Sequence, residues 1–139
     1  MKPGAETVLV VPCSGIGKTF GTVSREAAYD LCEDLRPEST RLVALAKLVL
    51  GEPGARDLVA KHPVVTIDGC KQMCAAKLVK HSGGTVLREV AVFEVFRRHK
   101  GLRPEGIAEL NSEGRQLARK LAEEIAADLD EIAEGGLHA

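Results

Sequence analysis

Residues 7–18 have the sequence Thr7-Val8-Leu9-Val10-Val11-Pro12-Cys13-Ser14-Gly15-Ile16-Gly17-Lys18. The first five residues show no polar alternation and are mostly β-branched, which is typical of a strand buried on both faces of a sheet. A glycine-rich turn follows and places a cysteine at the carboxyl end of that strand. A helical period of apolar residues then runs from about Thr22 to Leu35. This order of strand, turn and helix indicates an α/β protein.

The same order of elements recurs further along the chain. We predict three more strands. The second strand starts in the apolar run Leu42–Leu50, the third spans Pro63–Asp68 and the fourth spans Thr85–Ala91. The helical pattern covers Ala55–His62, Cys70–His81, Val92–His99 and a long C-terminal segment capped by Ser112. Val86–Phe96 could instead form one long strand. The alternation predicts a three-layer α/β sandwich, in which helices flank a mainly parallel sheet of about four strands.

Composition and charge exclude several classes of function. Of the 139 residues, 45% are hydrophobic but only 3% are aromatic, so we expect an aliphatic core and no base-stacking platform for single-stranded nucleic acid. The formal net charge of −1 argues against a generally basic nucleic-acid binder. No apolar run approaches the roughly 20 residues that span a bilayer, and the polar segment 1–6 does not resemble a signal peptide. We therefore expect a single cytoplasmic domain over residues 1–139.

Three of the four cysteines follow predicted strands. Cys13 comes after the first strand, and Cys70 and Cys74 come after the third. With the strand order 2-1-3-4, both turns would face one crevice at the carboxyl edge of the sheet. Cys70 and Cys74 are spaced so that both sulfurs share one face of the first helical turn, where the helix N-terminus favours thiolates. Such thiolates suit zinc or, as a second choice, an iron–sulfur centre.

The fourth cysteine and the histidines are weaker candidates for ligands. Cys32 lies on an apolar helical face, so we interpret it as a packing residue that could be a fourth ligand only if the helix tilts. No histidine has ligand spacing to a cysteine, so all four are interpreted as surface or capping residues.

Other kinds of site share parts of the pattern. Gly17-Lys18-Thr19 matches the end of a Walker A loop and Val64–Asp68 imitates a Walker B strand, but Pro12 occupies the first glycine position. A cysteine phosphatase or arsenate reductase loop would need an arginine where Thr19 stands. A metal-free thiol–disulfide enzyme, with Cys13 or Cys70 as the nucleophile, remains an alternative, as does a degenerate P-loop nucleotide binder.

Four segments resemble the DGC-domain family of small proteins for which zinc binding is expected. They are Pro12–Lys18, Gly21–Tyr29, Ile67–Cys70 together with Cys74-Ala75, and Arg98–Pro104. The resemblance spans nearly the whole chain and implies four metal-binding cysteines and a role for zinc, without implying a reaction. A further cysteine that the family often carries after its second strand is absent from Val43–Lys47. Three cysteines and a water molecule would form an open site of the catalytic type.

The sequence and the resemblance together predict Zn²⁺ bound by Cys13, Cys70 and Cys74. The loop residues would shape the turn and offer backbone N–H groups to the thiolates or to a small anionic ligand; they are Ser14, Gly15 and Gly17. Lys18 would offset thiolate charge, and Asp68 would orient a ligand or act as a base.

Overall fold

The computed structural model describes residues 7–13 and 17–135. Its four strands are β1 (Val8–Pro12), β2 (Thr40–Leu42), β3 (Val64–Asp68) and β4 (Val86–Ala91). They form one sheet in the order β2-β1-β3-β4, and all neighbouring strands are parallel. This is the strand order that a shared crevice for the two cysteine turns requires. Every residue of the two central strands β1 and β3 is buried, which explains why neither strand alternates polar with apolar residues.

Helices cover both faces of this sheet, and six α-helices are described. They are α1 (Thr19–Tyr29), α2 (Leu45–Val49), α3 (Pro53–Lys61), α4 (Cys74–His81), α5 (Val92–Arg98) and α6 (Ser112–Gly135). Val8 and Val10 of β1 pack in one cluster with α1, α5 and α6, whereas Leu9 and Val11 pack in a second cluster with α2, α3 and α4. The sheet thus lies between two helical layers, which confirms the predicted three-layer α/β sandwich.

In the middle of the chain, the structure differs from the sequence-based prediction at two elements. Helix α1 ends at Tyr29, and the chain continues as a π-helical segment over Asp30–Leu35. The apolar run that begins at Leu42 is strand only at its first residue and becomes α2, because Leu45 and Leu48 have helical spacing and are both buried. The alternative of one long strand over Val86–Phe96 is wrong, since β4 ends at Ala91 and α5 follows directly.

The long helix α6 is held by an apolar stripe and by ion pairs along its acidic face. Its buried side chains include Leu117, Leu121 and Ile125. Asn111, rather than the predicted Ser112, caps the helix, because the Asn111 Oδ1 accepts the N–H of Gly114 at 2.7 Å. Within residues 7–13 and 17–135, no helix is long and apolar enough to cross a membrane.

Candidate functional site

The carboxyl ends of β1 and β3 bring the two cysteine turns into direct contact. Pro12 and Ile67 are register partners, and the Cys13 N–H extends the ladder by donating to the Ile67 carbonyl at 2.8 Å. Two residues after Ile67, the Gly69 N–H donates to the Cys13 Sγ at 3.2 Å, across 56 residues of sequence. Standard bond lengths then keep the Cα atoms of Cys13 and Cys70 within about 11 Å of each other.

The Cys13 sulfur is enclosed by protein. The residue is only 8% exposed, and its Sγ lies 3.3 Å from the Ser24 Oγ on α1. Ser24 is fully buried, and its hydroxyl donates to the Gly21 carbonyl at 2.6 Å. No motif in the sequence assigns a role to Ser24. Its place in the Gly21–Tyr29 segment was the one available indication, since that segment resembles the DGC-domain family.

Helix α1 approaches the turn after β3 very closely at Gly69. A Cβ atom on Gly69 would lie 2.9 Å from the Gly21 nitrogen and 2.9 Å from the Phe20 carbonyl carbon. Only glycine leaves room for this approach, because both atoms belong to the backbone of α1. The glycine of the Asp68-Gly69-Cys70 motif therefore brings the turn against α1, next to Cys13.

Cys70 and Cys74 occupy different kinds of backbone, so the prediction that they share one helical turn is wrong. Helix α4 begins at Cys74, whereas Cys70 lies in the preceding turn, in which the Met73 N–H donates to the Cys70 carbonyl at 3.2 Å. Met73 has φ 52°, a left-handed conformation that interrupts the right-handed path of a helix. Both cysteines are exposed free thiols.

Asp68 caps α4 from the end of β3. Its two carboxylate oxygens accept the N–H groups of Ala75 at 2.8 Å and Ala76 at 3.2 Å. The side chain is 1% exposed, and this burial raises the pKa of Asp68 although both backbone hydrogen bonds oppose the shift. The helix N-terminus that was expected to favour thiolates thus already interacts with a carboxylate.

A cavity of about 370 Å³ opens beside Cys70 at the start of α1. Its walls are formed by six residues: Lys18, Thr19, Phe20, Gly21, Gly69 and Cys70. The side chain of Lys18 is exposed, and Gly17 next to it has φ +82°, a conformation that favours glycine. Ser14 and Gly15, the other predicted loop residues, lie outside the described residues.

Cys32 lies at the opposite edge of the sheet from Cys13. It is half-buried against the α6-side core, and burial raises the pKa of its thiol, an effect opposed by a hydrogen bond from Thr40. Thr40 pairs with Val8 at the start of β1, whereas Cys13 follows the end of that strand. The five-residue strand separates the two edges by roughly 16 Å, too far for Cys32 to share a metal ion with Cys13.

Replacing Cys32 by alanine should therefore leave metal stoichiometry unchanged and cost about 1 kcal/mol of unfolding free energy, because a small, partly buried side chain is truncated. Denaturant unfolding and elemental analysis of the purified Cys32→Ala variant measure both quantities. Loss of bound metal in this variant would show that Cys32 is a ligand.

The cysteine sulfurs are chemically suited to bind a soft metal ion, but they do not form a preformed metal site. Cys13, Cys70 and Cys74 could all supply thiolates, which zinc prefers. Among residues 7–13 and 17–135, however, no three Cys, His, Asp or Glu side chains are arranged to hold a metal ion. Asp68, with both oxygens bound to backbone N–H groups, is also not free to act as a Walker B carboxylate without uncapping α4.

Comparison with known proteins gives one match. No curated protein and no solved structure matches the chain. The family model of the DGC domain matches residues 9–114, a range that begins at the second residue of β1, extends beyond α5 and contains all four cysteines. Because the match covers most of the sequence, the chain belongs to the DGC-domain family.

Proposed function

We propose that this protein binds Zn²⁺ through the thiolates of Cys13, Cys70 and Cys74. The observation that carries the proposal is the hydrogen bond from the Gly69 N–H to the Cys13 Sγ at 3.2 Å. It joins Cys13 to the turn after β3, which holds Cys70 and leads to Cys74 at the start of α4. Cysteines from two segments that are far apart in the sequence therefore lie at the same edge of the sheet, which supports a shared site.

The buried carboxylate of Asp68 favours a cation near the sulfurs. Asp68 places a buried carboxylate next to the turn, and its pKa is raised because burial disfavours the charged form. A divalent cation would offset the charges of the carboxylate and the thiolates together. Lys18 supplies a weaker and exposed positive charge, which solvent and salt screen.

Metal binding requires the turn between Cys70 and Cys74 to move, because the described residues contain no preformed group of three ligands. That turn is suited to movement. Met73 holds a left-handed conformation that costs a non-glycine residue roughly 1–2 kcal/mol, so the turn has strain to release. Both Cys70 and Cys74 are exposed and have room to reorient.

With three cysteine ligands, Zn²⁺ would keep one open position, where it acidifies a bound water molecule or polarises a substrate. The residues of this chain contribute the surroundings of that position. Cys13 is fixed in the interior, and the cavity beside Cys70 gives a small molecule access to the same edge of the sheet.

The experiment is a zinc titration of the reduced protein against a chromophoric chelator, with elemental analysis of protein purified without chelator. We expect about one Zn²⁺ per chain and weaker binding below neutral pH, because protons compete for the thiolates. Cys13→Ser, Cys70→Ser and Cys74→Ser should each weaken binding strongly, since each removes a direct ligand. Lys18→Ala should weaken it only slightly, because it removes a screened charge.

A wild type that binds no zinc under reducing conditions would overturn the proposal and favour metal-free thiol chemistry. Exposure of Cys70 on the cavity favours that second candidate, and the nearby Lys18 would attract a small anionic substrate. In this case the Cys70 thiolate would attack a substrate disulfide, form a mixed disulfide and release the other sulfur as a thiolate. Rapid alkylation of Cys70 near neutral pH would support it.

A further inference from the structure

We infer that Ser24 is a positioning residue, whose hydroxyl orients the Cys13 sulfur and donates a hydrogen bond to it when that sulfur binds a metal ion. The inference rests on the proposed role of Cys13 as a ligand. It gives a function to the Gly21–Tyr29 segment, which matches the family but contributes none of the three proposed ligands.

In the metal-free protein, the number of available protons determines which atom donates in the contact between the Cys13 Sγ and the Ser24 Oγ. The Ser24 hydroxyl has one proton, and at 2.6 Å the Gly21 carbonyl is its acceptor. The Cys13 thiol must then donate its own proton to the Ser24 Oγ, 3.3 Å away. The Gly69 N–H donates to the same sulfur from the other side. The buried sulfur thus has a hydrogen-bond partner on each side, the Ser24 hydroxyl and the Gly69 N–H.

Metal binding reverses one of these bonds. A metal-bound Cys13 has no proton to donate, so a Ser24 hydroxyl still turned to Gly21 would face the sulfur with its lone pairs. Rotation about one bond redirects the hydroxyl proton to the sulfur. The sulfur then accepts hydrogen bonds from Ser24 and Gly69, and bonds to a charged acceptor are stronger than neutral ones.

Ser24 cannot easily move away from this position. It is fully buried on α1, and the same helix touches the other turn where Gly21 meets Gly69. Groups that hydrogen-bond to metal ligands in this way orient the ligands, and removing such a group typically lowers metal affinity about 10–100-fold.

A purely structural role is the competing explanation, because the bond to the Gly21 carbonyl already satisfies the Ser24 hydroxyl. Three variants separate the two. Ser24→Ala removes the hydroxyl, and Ser24→Thr retains it. Ser82→Ala is the matched control, because it removes the hydroxyl of another buried serine, which follows the C-terminal end of α4.

Zinc titration gives the first readout. We expect Ser24→Ala to bind Zn²⁺ about tenfold or more weakly, while Ser24→Thr and Ser82→Ala stay close to wild type. Denaturant unfolding of each metal-free variant shows whether it is folded. Unchanged affinity in Ser24→Ala, or an equal loss in Ser82→Ala, would overturn the inference.

The second readout needs no metal. The infrared S–H stretching band of Cys13, assigned from its loss in Cys13→Ala, should move to higher frequency in metal-free Ser24→Ala, because the thiol loses its acceptor. It should not move in Ser82→Ala. If wild type binds no zinc, the proposed function fails together with the hydrogen bond inferred for the metal-bound sulfur, and a shifted band in Ser24→Ala would leave only the contact in the metal-free protein. If wild type binds zinc but the Cys13 band is the same in wild type and Ser24→Ala, the positioning role fails by itself.

Discussion

Replacing Gly69 by alanine is expected to lower the unfolding free energy by about 2–3 kcal/mol. The new Cβ would lie 2.9 Å from the Gly21 nitrogen and from the Phe20 carbonyl carbon, closer than such atoms approach in proteins. Neither atom can rotate away, because both belong to the backbone of α1. Either α1 or the turn after β3 must shift, and the core contacts of α1 with the sheet resist that shift.

The same substitution should weaken the proposed zinc binding, because a displaced Gly69 N–H no longer donates to the Cys13 Sγ. Gly54→Ala is the matched control. A Cβ on Gly54 meets nothing within 4 Å, and Gly54 lies in α3, where alanine is favoured over glycine by about 1 kcal/mol. Denaturant unfolding and zinc titration compare the two variants. A Gly69→Ala protein as stable as Gly54→Ala would show that α1 does not constrain the turn.

The meeting of the two cysteine turns could be predicted from sequence because it follows from strand order. Uninterrupted apolar runs identify β1 and β3 as central strands of a parallel sheet. Two adjacent parallel strands place their carboxyl ends at one edge, so the position of Cys13 next to Gly69 follows from the sheet. The packing role of Cys32 follows from helical periodicity in the same way.

The local geometry of the site could not be predicted, because distant residues determine it. The segment Cys70–His81 has a helical pattern, yet Asp68 accepts the Ala75 and Ala76 N–H groups and thereby starts α4 later, after a left-handed Met73. Ser24 shows the same limit. Its position next to Cys13 depends on how α1 packs over the end of β1, and a serine within an apolar helical segment does not indicate that contact.

Removing the carboxylate of Asp68 is the second substitution with a large expected effect. Asp68→Ala leaves the N–H groups of Ala75 and Ala76 without their acceptors at the N-terminus of α4, where both residues are buried. A buried donor without a partner costs about 1–3 kcal/mol. Because burial of the charged carboxylate already opposes folding, as its raised pKa indicates, we expect a net loss of about 3 kcal/mol rather than the full sum.

Two further variants distinguish helix capping from a general effect of charge. Asp68→Asn keeps the shape and one acceptor oxygen, so it should lose about half as much unfolding free energy as Asp68→Ala. Asp57→Ala removes an exposed carboxylate whose ion pair with Lys61 spans 3.0 Å, and it should cost less than about 1 kcal/mol. Denaturant unfolding of the metal-free proteins measures all three. Equal losses for Asp68→Ala and Asp57→Ala would contradict the capping role.

Cys74 is the first residue of α4, so fraying of the helix in Asp68→Ala should also displace the Cys74 sulfur and lower the affinity for zinc.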